Sequence, residues 1–322
     1  MGNISFYDKV RGRVYALSYL IFIKPAIRNW YDLVLFKLGV LKQMTLVLKS
    51  GEEYTVMNDE DLFNFLHIDK PWTKELARFY RFPIRVDNDK VVAMLLDKEV
   101  VFSYKSRPIM GTTIGLLMDL MNKDEYSKAN VNGRDVVDIG ATIGDSAIYF
   151  VLKGAKHVYA FEPYPYSYNA ARKNIRSNKF EDKITLFNAG IGGHDSKTRI
   201  EGSLISGVES SLADDAGDAG KVVPVLSLKS VADKCGVKNG VLKIDCEGCE
   251  VNAIMNSSNE VLRRFDQIVM EYHYGYRILE DKLKGAGFKV SHTAPKYFGY
   301  NNIKHPDMYI GMIYAYRKDL EN

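Results

Sequence analysis

The chain has 322 residues, 46% of them hydrophobic and 26% charged, which is typical of a globular protein with one large or two modest domains. Its net charge of +4, from 44 basic and 40 acidic residues, gives no strong signal for a nucleic-acid partner. Its three cysteines lack the spacing of a disulfide framework, and residues 1–20 lack the features of a secretory signal, so we expect a cytoplasmic protein.

The segment of residues 14–42 mixes leucine, isoleucine and aromatic residues with lysine and arginine. Within it, residues 15–41 predict two helices broken at Pro25. Its apolar run is interrupted at Lys24, well short of the roughly 20 residues that cross a bilayer. Such a segment suits peripheral contact with a membrane or a partner protein, and it also suits packing on the hydrophobic face of a neighbouring domain. We favour packing, because it is the commoner use of such a pattern.

Residues 44–49 and 54–57 flank a glycine turn and predict a β-hairpin. A short helix and two further strands are predicted after it, over residues 59–67, 91–96 and 100–104. We therefore assign residues 1–110 to an N-terminal accessory region of apolar helices and a small β unit. A helix predicted over residues 111–128 opens the second region, residues 111–322.

From residue 135 onward, strand-like and helix-like segments alternate. Strands are predicted over residues 135–139, 157–161, 183–188, 222–226, 241–245, 267–272, 288–292 and 308–316, and helices over residues 145–153, 166–178 and 276–286. This alternation indicates an α/β fold with a parallel, doubly wound sheet. In such a sheet, ligands bind at the carboxyl ends of the strands.

The first of these strands runs into a glycine-rich turn, Gly140-Ala141-Thr142-Ile143-Gly144, which is typical of a nucleotide-like ligand site. Two ligands compete for such a turn, a dinucleotide and S-adenosylmethionine. The dinucleotide fingerprint places a second glycine where Ala141 and Thr142 stand. Asp138, a carboxylate just before the turn, suits the ammonium group of an amino-acid cofactor better than it suits a diphosphate.

Two polar residues end the next strands of the predicted sheet. Glu162 lies 22 residues after Gly140, and a carboxylate at this distance can bind the two ribose hydroxyls of either cofactor. Asn188 ends the third strand, where its amide suits an adenine contact and equally an ordinary turn. Neither residue decides between the two cofactors.

Four ordered segments carry a resemblance to a known family: Val137–Phe150, Ala160–Pro163, Leu242–Gly248 with Glu250, and Met270–His273. They resemble the FkbM-like family of S-adenosylmethionine-dependent methyltransferases. The resemblance implies a class I methyltransferase fold, a Rossmann-like α/β sheet of seven mostly parallel strands with the last strand antiparallel, here with an N-terminal helical and β-hairpin accessory region. It also implies O-methylation of a hydroxyl on a sugar, a glycan or a glycosylated small molecule.

The resemblance also implies which residues bind the cofactor S-adenosylmethionine. They are Asp138, Gly140, Ala141, Thr142, Gly144, Asp145, Glu162, Asn188 and Asp245. Glu162 would bind the ribose, Asn188 would lie near the adenine, and Asp245 would stand beside the methyl donor. Thr142 is a small departure, because asparagine is usual in the family at this position.

Methyl transfer to a hydroxyl requires that the acceptor oxygen be aligned and its proton removed. The ends of two neighbouring predicted strands supply polar residues that suit this chemistry, namely Asp245, Glu247, Glu250, Glu271 and His273. His273 is the first candidate for general base, because its ordinary pKa of about 6.5 suits proton transfer near neutrality. Glu247 is the second candidate. Glu271 shares a strand face with His273 and could orient it.

Two other chemistries compete for the turn after residue 245. Cys246 and Cys249 have a C-x-x-C spacing, which is used in zinc sites and redox pairs. Because no second pair accompanies them, we predict a tight turn at Gly248 and no structural metal. A divalent cation is a further option, held against a sugar diol by hard ligands from Asp245, Glu247 and His273.

Two other functions stay open. A nucleic-acid methyltransferase could share the fold, although the Asn/Asp-Pro-Pro-aromatic loop typical of base methylation is replaced here by Asp245–Gly248. A catalytically silent binding protein could keep the fold and attach to a membrane or a partner through its N-terminal segment. The sequence assigns neither an acceptor nor an oligomeric state, since acceptor choice depends on loops at residues 190–220 and 293–307 and on the N-terminal region.

Overall fold

The computed structural model of the protein describes residues 5–104, 107–122, 125–200, 220–299 and 308–320. Most of the two loops expected to choose the acceptor therefore lies outside the described residues. The chain forms two compact units, an N-terminal unit of residues 14–123 and a C-terminal unit of residues 1–13 and 124–322. The division falls after residue 123, later than the expected boundary at residue 110.

This later division has a local cause. The helix predicted over residues 111–128 instead spans Arg107–Asn122, and it is tied into the N-terminal unit. The Thr73 hydroxyl donates a hydrogen bond to the Gly111 carbonyl at 3.0 Å, and this contact is buried. Residue 110 therefore lies inside a helix that belongs to the first unit.

Two helices separated near Pro25 come first in the chain, as predicted. Helix α1 spans Phe6–Ile23, a 3₁₀ turn spans Lys24–Ala26, and helix α2 spans Trp30–Lys37. Pro25 stands in the 3₁₀ turn, where its missing N–H and fixed φ end the helical hydrogen bonding. No helix among the described residues is long and apolar enough to cross a membrane.

The rest of the N-terminal unit is a mixture of short strands and helices. The elements are β1 Met44–Val47, β2 Glu53–Val56, α3 Asp59–Phe63, a π-helical turn Asn64–Ile68, α4 Thr73–Phe79, β3 Ile84–Asp87, β4 Lys90–Leu95, β5 Lys98–Ser103 and α5 Arg107–Asn122. Strands β1 and β2 form the predicted antiparallel hairpin. Strands β3, β4 and β5 form a second antiparallel sheet. Helix α4 and strand β3 were not predicted, because elements this short give little periodic signal.

The C-terminal unit follows the predicted alternation closely. Its elements are β6 Asp135–Ile139, α6 Asp145–Leu152, β7 His157–Phe161, α7 Pro165–Ser177, β8 Ile184–Phe187, β9 Gly190–Gly192, β10 Ser196–Ile200, β11 Lys221–Ser227, α8 Leu228–Cys235, β12 Gly240–Ile244, α9 Cys249–Met255, α10 Asn259–Leu262, β13 Phe265–Tyr272, α11 Arg277–Gly285, β14 Phe288–His292, β15 Lys296–Gly299 and β16 Met308–Arg317. Strands β9, β10 and β11 form a separate small sheet.

The main sheet has the order β8-β7-β6-β12-β13-β16-β14, with β15 pairing to β16. Strands β6, β7, β8, β12 and β13 pair in parallel. Strand β16 is antiparallel to both of its neighbours β13 and β14. The predicted mostly parallel α/β sheet with an antiparallel last strand is confirmed.

The strand order creates a crevice at one edge of the sheet. The chain runs outward from β6 through β7 to β8, and later returns to place β12 on the other side of β6. The connection after β6 therefore runs towards β7, and the connection after β12 runs the opposite way, towards β13. Open α/β sheets bind ligands at the carboxyl ends of two such strands. Both strands are buried apart from the partly buried Asp135, so their apolar residues fix the floor of this crevice.

Candidate active site

The glycine-rich loop follows β6 and is held by both neighbouring strands. The N–H groups of Gly140 and Ala141 donate to the Phe161 carbonyl at 3.0 and 3.1 Å. Gly140 has a φ of 77°, and a β-carbon there would overlap the carbonyl oxygen of Asp245. Only glycine permits this approach, so the loop is pressed against the end of β12.

Asp138, the acid before this loop, is fully buried and already paired. Its Oδ2 accepts a hydrogen bond from the Ser146 hydroxyl at 2.7 Å, and its Oδ1 lies 3.0 Å from the Nζ of Lys243. The ammonium group beside Asp138 in this structure is therefore that of a lysine in β12. Lys243 already balances the charge of the buried Asp138 carboxylate. The expected contact between Asp138 and the ammonium group of a cofactor is therefore not required for this balance.

Lys243 is a part of the site that the sequence analysis missed. It is 1% exposed, and its Nζ donates to the Gly140 carbonyl at 2.8 Å. Burial by itself would lower the pKa of Lys243, but Asp138 and Asp245 raise it above its ordinary value. The sequence does contain a signal for this role, since Lys243 is the charged residue of the otherwise apolar strand Val241–Ile244. A lysine that is buried in such a strand requires a charged or polar partner.

Glu162, the expected ribose ligand, ends β7 and faces the loop. Its Oε2 accepts the Thr142 N–H at 2.9 Å, and its Oε1 accepts the Tyr164 N–H at 2.8 Å. Burial raises the pKa of Glu162 to about 8. Each oxygen keeps a second lone pair, so the carboxylate can still accept two ribose hydroxyls when it is ionised.

The remaining loop residues have internal roles. Gly144, with a φ of 84°, precedes α6, and Asp145 is the first residue of that helix. Burial raises the pKa of Asp145 to about 7. The Asn188 amide donates to the carbonyls of Glu162 and Pro163, each at 2.9 Å, so Asn188 braces the end of β7, and its contact with adenine stays a prediction.

The opposite wall of the crevice is the turn after β12. Glu247 and Gly248 have φ values of 56° and 114°, which confirms a tight turn at Gly248. Cys246 and Cys249, on either side, form a disulfide. The sequence analysis predicted the turn but did not predict that the two cysteines are bonded to each other.

His273 lies just beyond β13 and is surrounded by carboxylates. Its Nε2 is 3.1 Å from Glu247 and 3.5 Å from Glu271, and its Nδ1 is 3.3 Å from Glu250. Burial alone would lower the pKa of His273, but Glu250 and Glu247 outweigh it and raise the pKa well above its ordinary range. These carboxylates therefore favour the protonated form of the imidazole. The predicted closeness of Glu271 and His273 is confirmed.

The structure brings the predicted catalytic residues together. Ligand atoms of Asp245, Glu247 and His273 all lie within 4.8 Å of one another. Tyr126, which lies 119 residues before Asp245 in the chain, donates its hydroxyl to the Oδ2 of Asp245 at 3.3 Å. No local sequence pattern signals Tyr126.

The strand order, the glycine loop at the end of β6 and the polar cluster at the ends of β12 and β13 define a class I, Rossmann-like methyltransferase. Residues 138–290 match the FkbM methyltransferase domain, the same family that the sequence motifs resemble. The resemblance seen in the sequence is thereby confirmed, and the fold implies S-adenosylmethionine as the methyl donor.

Named methyltransferases are similar to the chain in sequence and in structure. The chain is 37% identical over 86 residues to the ribosomal protein L11 methyltransferase of Carboxydothermus hydrogenoformans, a match that covers 26% of this chain and 28% of that protein. The chain thus aligns with less than a third of this relative.

Three solved structures are also similar to the chain. The precorrin-6y C5,15-methyltransferase from Geobacter metallireducens is 14% identical, covering 61% of this chain and 87% of that one, with a TM-score of 0.37. The ribosomal protein L11 methylase from Lactobacillus delbrueckii is 18% identical, with coverages of 66% and 81% and a TM-score of 0.34. TrmK of M. capricolum, solved with S-adenosylhomocysteine, is 14% identical, with coverages of 61% and 67% and a TM-score of 0.35. Such distant likenesses carry no argument about the acceptor.

Proposed function

We propose that the protein is an S-adenosylmethionine-dependent O-methyltransferase that acts on a hydroxyl of a sugar, a glycan or a glycosylated small molecule. The observation that carries this proposal is the cluster of Asp245, Glu247 and His273, within 4.8 Å of one another and beside the glycine loop. A hydroxyl needs such a cluster, because its proton must leave as the oxygen takes the methyl group.

The donor half of the reaction requires little from the protein besides positioning. When bound, S-adenosylmethionine supplies a methyl group on a positively charged sulfur, which is already a good leaving group. Glu162 is suited to hold the ribose, and the loop from Gly140 to Gly144 is suited to hold the rest through backbone groups. Lys243 and Asp138 stabilise this loop from below through their buried ion pair.

The acceptor half requires a base, and the geometry favours Glu247 over His273. A protonated imidazole has no lone pair to accept a proton, and the carboxylates of Glu250 and Glu247 favour this form by raising the pKa of His273 well above its ordinary value. The side chain of Glu247 is 31% exposed and lies 3.1 Å from the Nε2 of His273. Glu247 can therefore take the hydroxyl proton, while the His273 cation holds the carboxylate in place.

A divalent cation is a secondary proposal for the same cluster. The spacing of Asp245, Glu247 and His273 would suit one, but the ion would have to displace the proton of His273 and compete with its ion pairs. Turnover that survives a chelator and is not raised by added Mg²⁺ would remove this proposal.

The test of the acceptor class is transfer of labelled methyl to a panel of sugars, glycolipids and glycopeptides, with RNA and ribosomal protein as the competing arms. We expect mass spectrometry to find an added methyl on a sugar oxygen. Labelling confined to RNA or to ribosomal protein would overturn the O-methylation proposal. Thermal stabilisation by S-adenosylmethionine, measured in parallel, separates an enzyme with an untested acceptor from a protein that binds no donor.

We also propose that residues 30–42 rest on an anionic membrane surface, which would make the protein a cytoplasmic one peripheral to the membrane. Tyr31, Val34 and Leu38 follow the spacing of one helical face, and all three are exposed. Arg28 and Lys42, both exposed, flank this face. An exposed apolar stripe with basic neighbours is complementary to the headgroups and upper chains of anionic lipid.

A further inference from the structure

Cys246 and Cys249 bracket the turn that carries the proposed base. Their disulfide joins residues only three positions apart. Between them stand Glu247 and Gly248, both with positive φ. The bond therefore closes a small ring around the residue on which the proposed chemistry depends.

A disulfide of this span is a poor device for global stability. Disulfides stabilise proteins mainly by restricting the unfolded chain, and in that account the effect grows with the length of the closed loop. A ring of four residues restricts very little of the unfolded chain. The bond therefore acts mainly on the turn that it closes.

What the bond fixes locally is the conformation of Glu247. A φ of 56° is unfavourable for a residue with a β-carbon, and the disulfide restricts the turn that holds Glu247 in this conformation. Gly248 is independently anchored, because its N–H donates to the Oε2 of Glu250 at 3.0 Å. Glu250 is in turn held by the His273 N–H, which donates to its Oε1 at 2.9 Å. Opening the disulfide would free Glu247 more than its neighbours.

We propose that Cys246 and Cys249 form a reversible thiol–disulfide modification site whose oxidised form holds Glu247 against His273 and whose reduced form releases it. The effect on turnover rests on the proposed function, whereas the modification itself does not. The reacting partner is a thiol or dithiol reductant. Its thiolate attacks one sulfur of the disulfide, which forms a mixed disulfide and releases the other cysteine as a thiol. A second thiol of the reductant then attacks the reductant's own sulfur in the mixed disulfide and releases the first cysteine. The chain thereby gains two electrons and two protons, and the reductant leaves as a disulfide.

The surroundings of the three cysteines support this assignment. Cys246 and Cys249 are partly exposed, and the C-x-x-C spacing is shared with redox-active pairs. Cys235 is buried, and burial raises the pKa of its thiol to about 11. A reductant or an alkylating reagent should therefore distinguish the pair from the third cysteine within the folded protein.

The experiment treats the full-length folded protein with reduced glutathione or dithiothreitol, then with iodoacetamide, and maps the adducts by peptide mass spectrometry. We expect adducts on residues 246 and 249 and none on residue 235, without loss of the thermal unfolding transition. Hydrogen exchange of residues 246–250 should become faster on reduction and slow again on reoxidation. Alkylation only after denaturation would overturn the proposal, as would alkylation without any change in exchange over residues 246–250.

Two variants complete the design. Cys246→Ser with Cys249→Ser should show the fast exchange of the reduced form and no response to reductant. Cys235→Ala, the matched control, should respond like the wild-type protein. Because labelling and exchange need no acceptor, they decide the proposal even where the acceptor panel gives no product, and a failed panel with a positive labelling result would count against the proposed function alone. If the double variant does not fold, the wild-type exchange measurement remains decisive.

Discussion

The two units of the protein treat charge and hydrophobicity in opposite ways. Among the described residues, the buried charged side chains lie in the C-terminal unit, and most of the exposed large hydrophobic ones lie in the N-terminal unit. Lys243 and His273 are each 1% exposed, whereas Leu38 is 71% exposed. Buried charges are costly unless they are paired, and exposed apolar groups on one helix face are unusual without a partner. The difference teaches that one unit holds paired charges in its interior, whereas the other leaves large apolar side chains exposed at its surface.

The largest expected effect comes from breaking the buried pair of the C-terminal unit. Lys243→Met leaves Asp138 as an uncompensated buried carboxylate, which should lower the free energy of unfolding by about 3–5 kcal/mol. Urea denaturation measures this loss. Lys229→Met is the matched control, since Lys229 pairs with Asp233 at 2.7 Å but is 72% exposed, and its loss should be much smaller because water screens an exposed pair. Equal losses in the two variants would show that burial does not set the strength of these pairs.

The next effect is on turnover. Glu247→Gln removes the proposed base while keeping the shape of the side chain, and it should lower kcat by about 100-fold or more. Affinity for S-adenosylmethionine should stay within a factor of about two, because the proposed role of Glu247 is to take the acceptor proton and not to hold the donor. Isothermal titration measures the affinity, and labelled methyl transfer measures kcat on the acceptor that the panel identifies. Glu260→Gln, an exposed site on α10, should change neither, and a fully active Glu247→Gln would remove this residue from the mechanism.

A third effect sharpens the comparison through pH. Burial raises the pKa of Glu162 from 4.5 to about 8, so this carboxyl is mostly protonated in the free protein at neutral pH. Because the ionised form accepts the ribose hydroxyls, affinity for S-adenosylhomocysteine should rise with pH by up to about tenfold per unit until the pH reaches the pKa. Titration in buffers of different ionisation enthalpy should detect the proton released. Glu162→Gln should bind more weakly and lose this dependence, and a dependence that persists in the variant would point to Asp145 instead.

The raised pKa of Glu162 also determines whether the stability of the folded protein rises or falls with pH. A carboxyl whose folded pKa is raised binds its proton more tightly in the folded state than in the unfolded state. The stability of the free protein should therefore fall as pH rises from about 4.5 to about 8. Thermal unfolding across this range measures the fall, which Glu162→Gln should reduce.

The smallest effect tests the surface of the N-terminal unit. Leu38→Glu places a charge in the exposed apolar stripe and should weaken sedimentation with phosphatidylserine-containing vesicles by roughly fivefold. Met255→Glu, at an exposed apolar site in the C-terminal unit, is the control and should leave vesicle binding unchanged. Wild-type protein that does not sediment with these vesicles would refute the membrane surface.

The sequence predicted the sheet well because its strands are long apolar segments with strong local signals. Strands β6, β7 and β14 have the predicted bounds, and β12 and β13 differ by one or two residues. The three-residue strand β9 and the small sheet around it were missed, since so short an element has no measurable periodicity. The same limit applies to β3 and α4 in the N-terminal unit.

The sequence predicted which residues meet in the candidate site better than it predicted their chemical states. Asp245, Glu247 and His273 were expected to meet, and they do. The raised pKa of His273 was not predicted, because it depends on Glu250, which is 23 residues away in the chain, and on the distance to Glu247. The C-x-x-C pattern was compatible with zinc, redox chemistry or a simple turn, and only the separation of the two residues in space distinguishes a disulfide from the others.

By itself, the sequence determined the class of fold, the family and the residues that end each strand, because these follow from local apolar patterns and short motifs. The tertiary structure alone decided which charges neutralise one another, Lys243 with Asp138 and His273 with Glu247 and Glu250. It also decided that the Tyr126 hydroxyl donates a hydrogen bond to Asp245. The physical reason is that the strength of a charge interaction depends on distance and burial. Both are set by packing between residues that can stand as far apart in the chain as Tyr126 and Asp245.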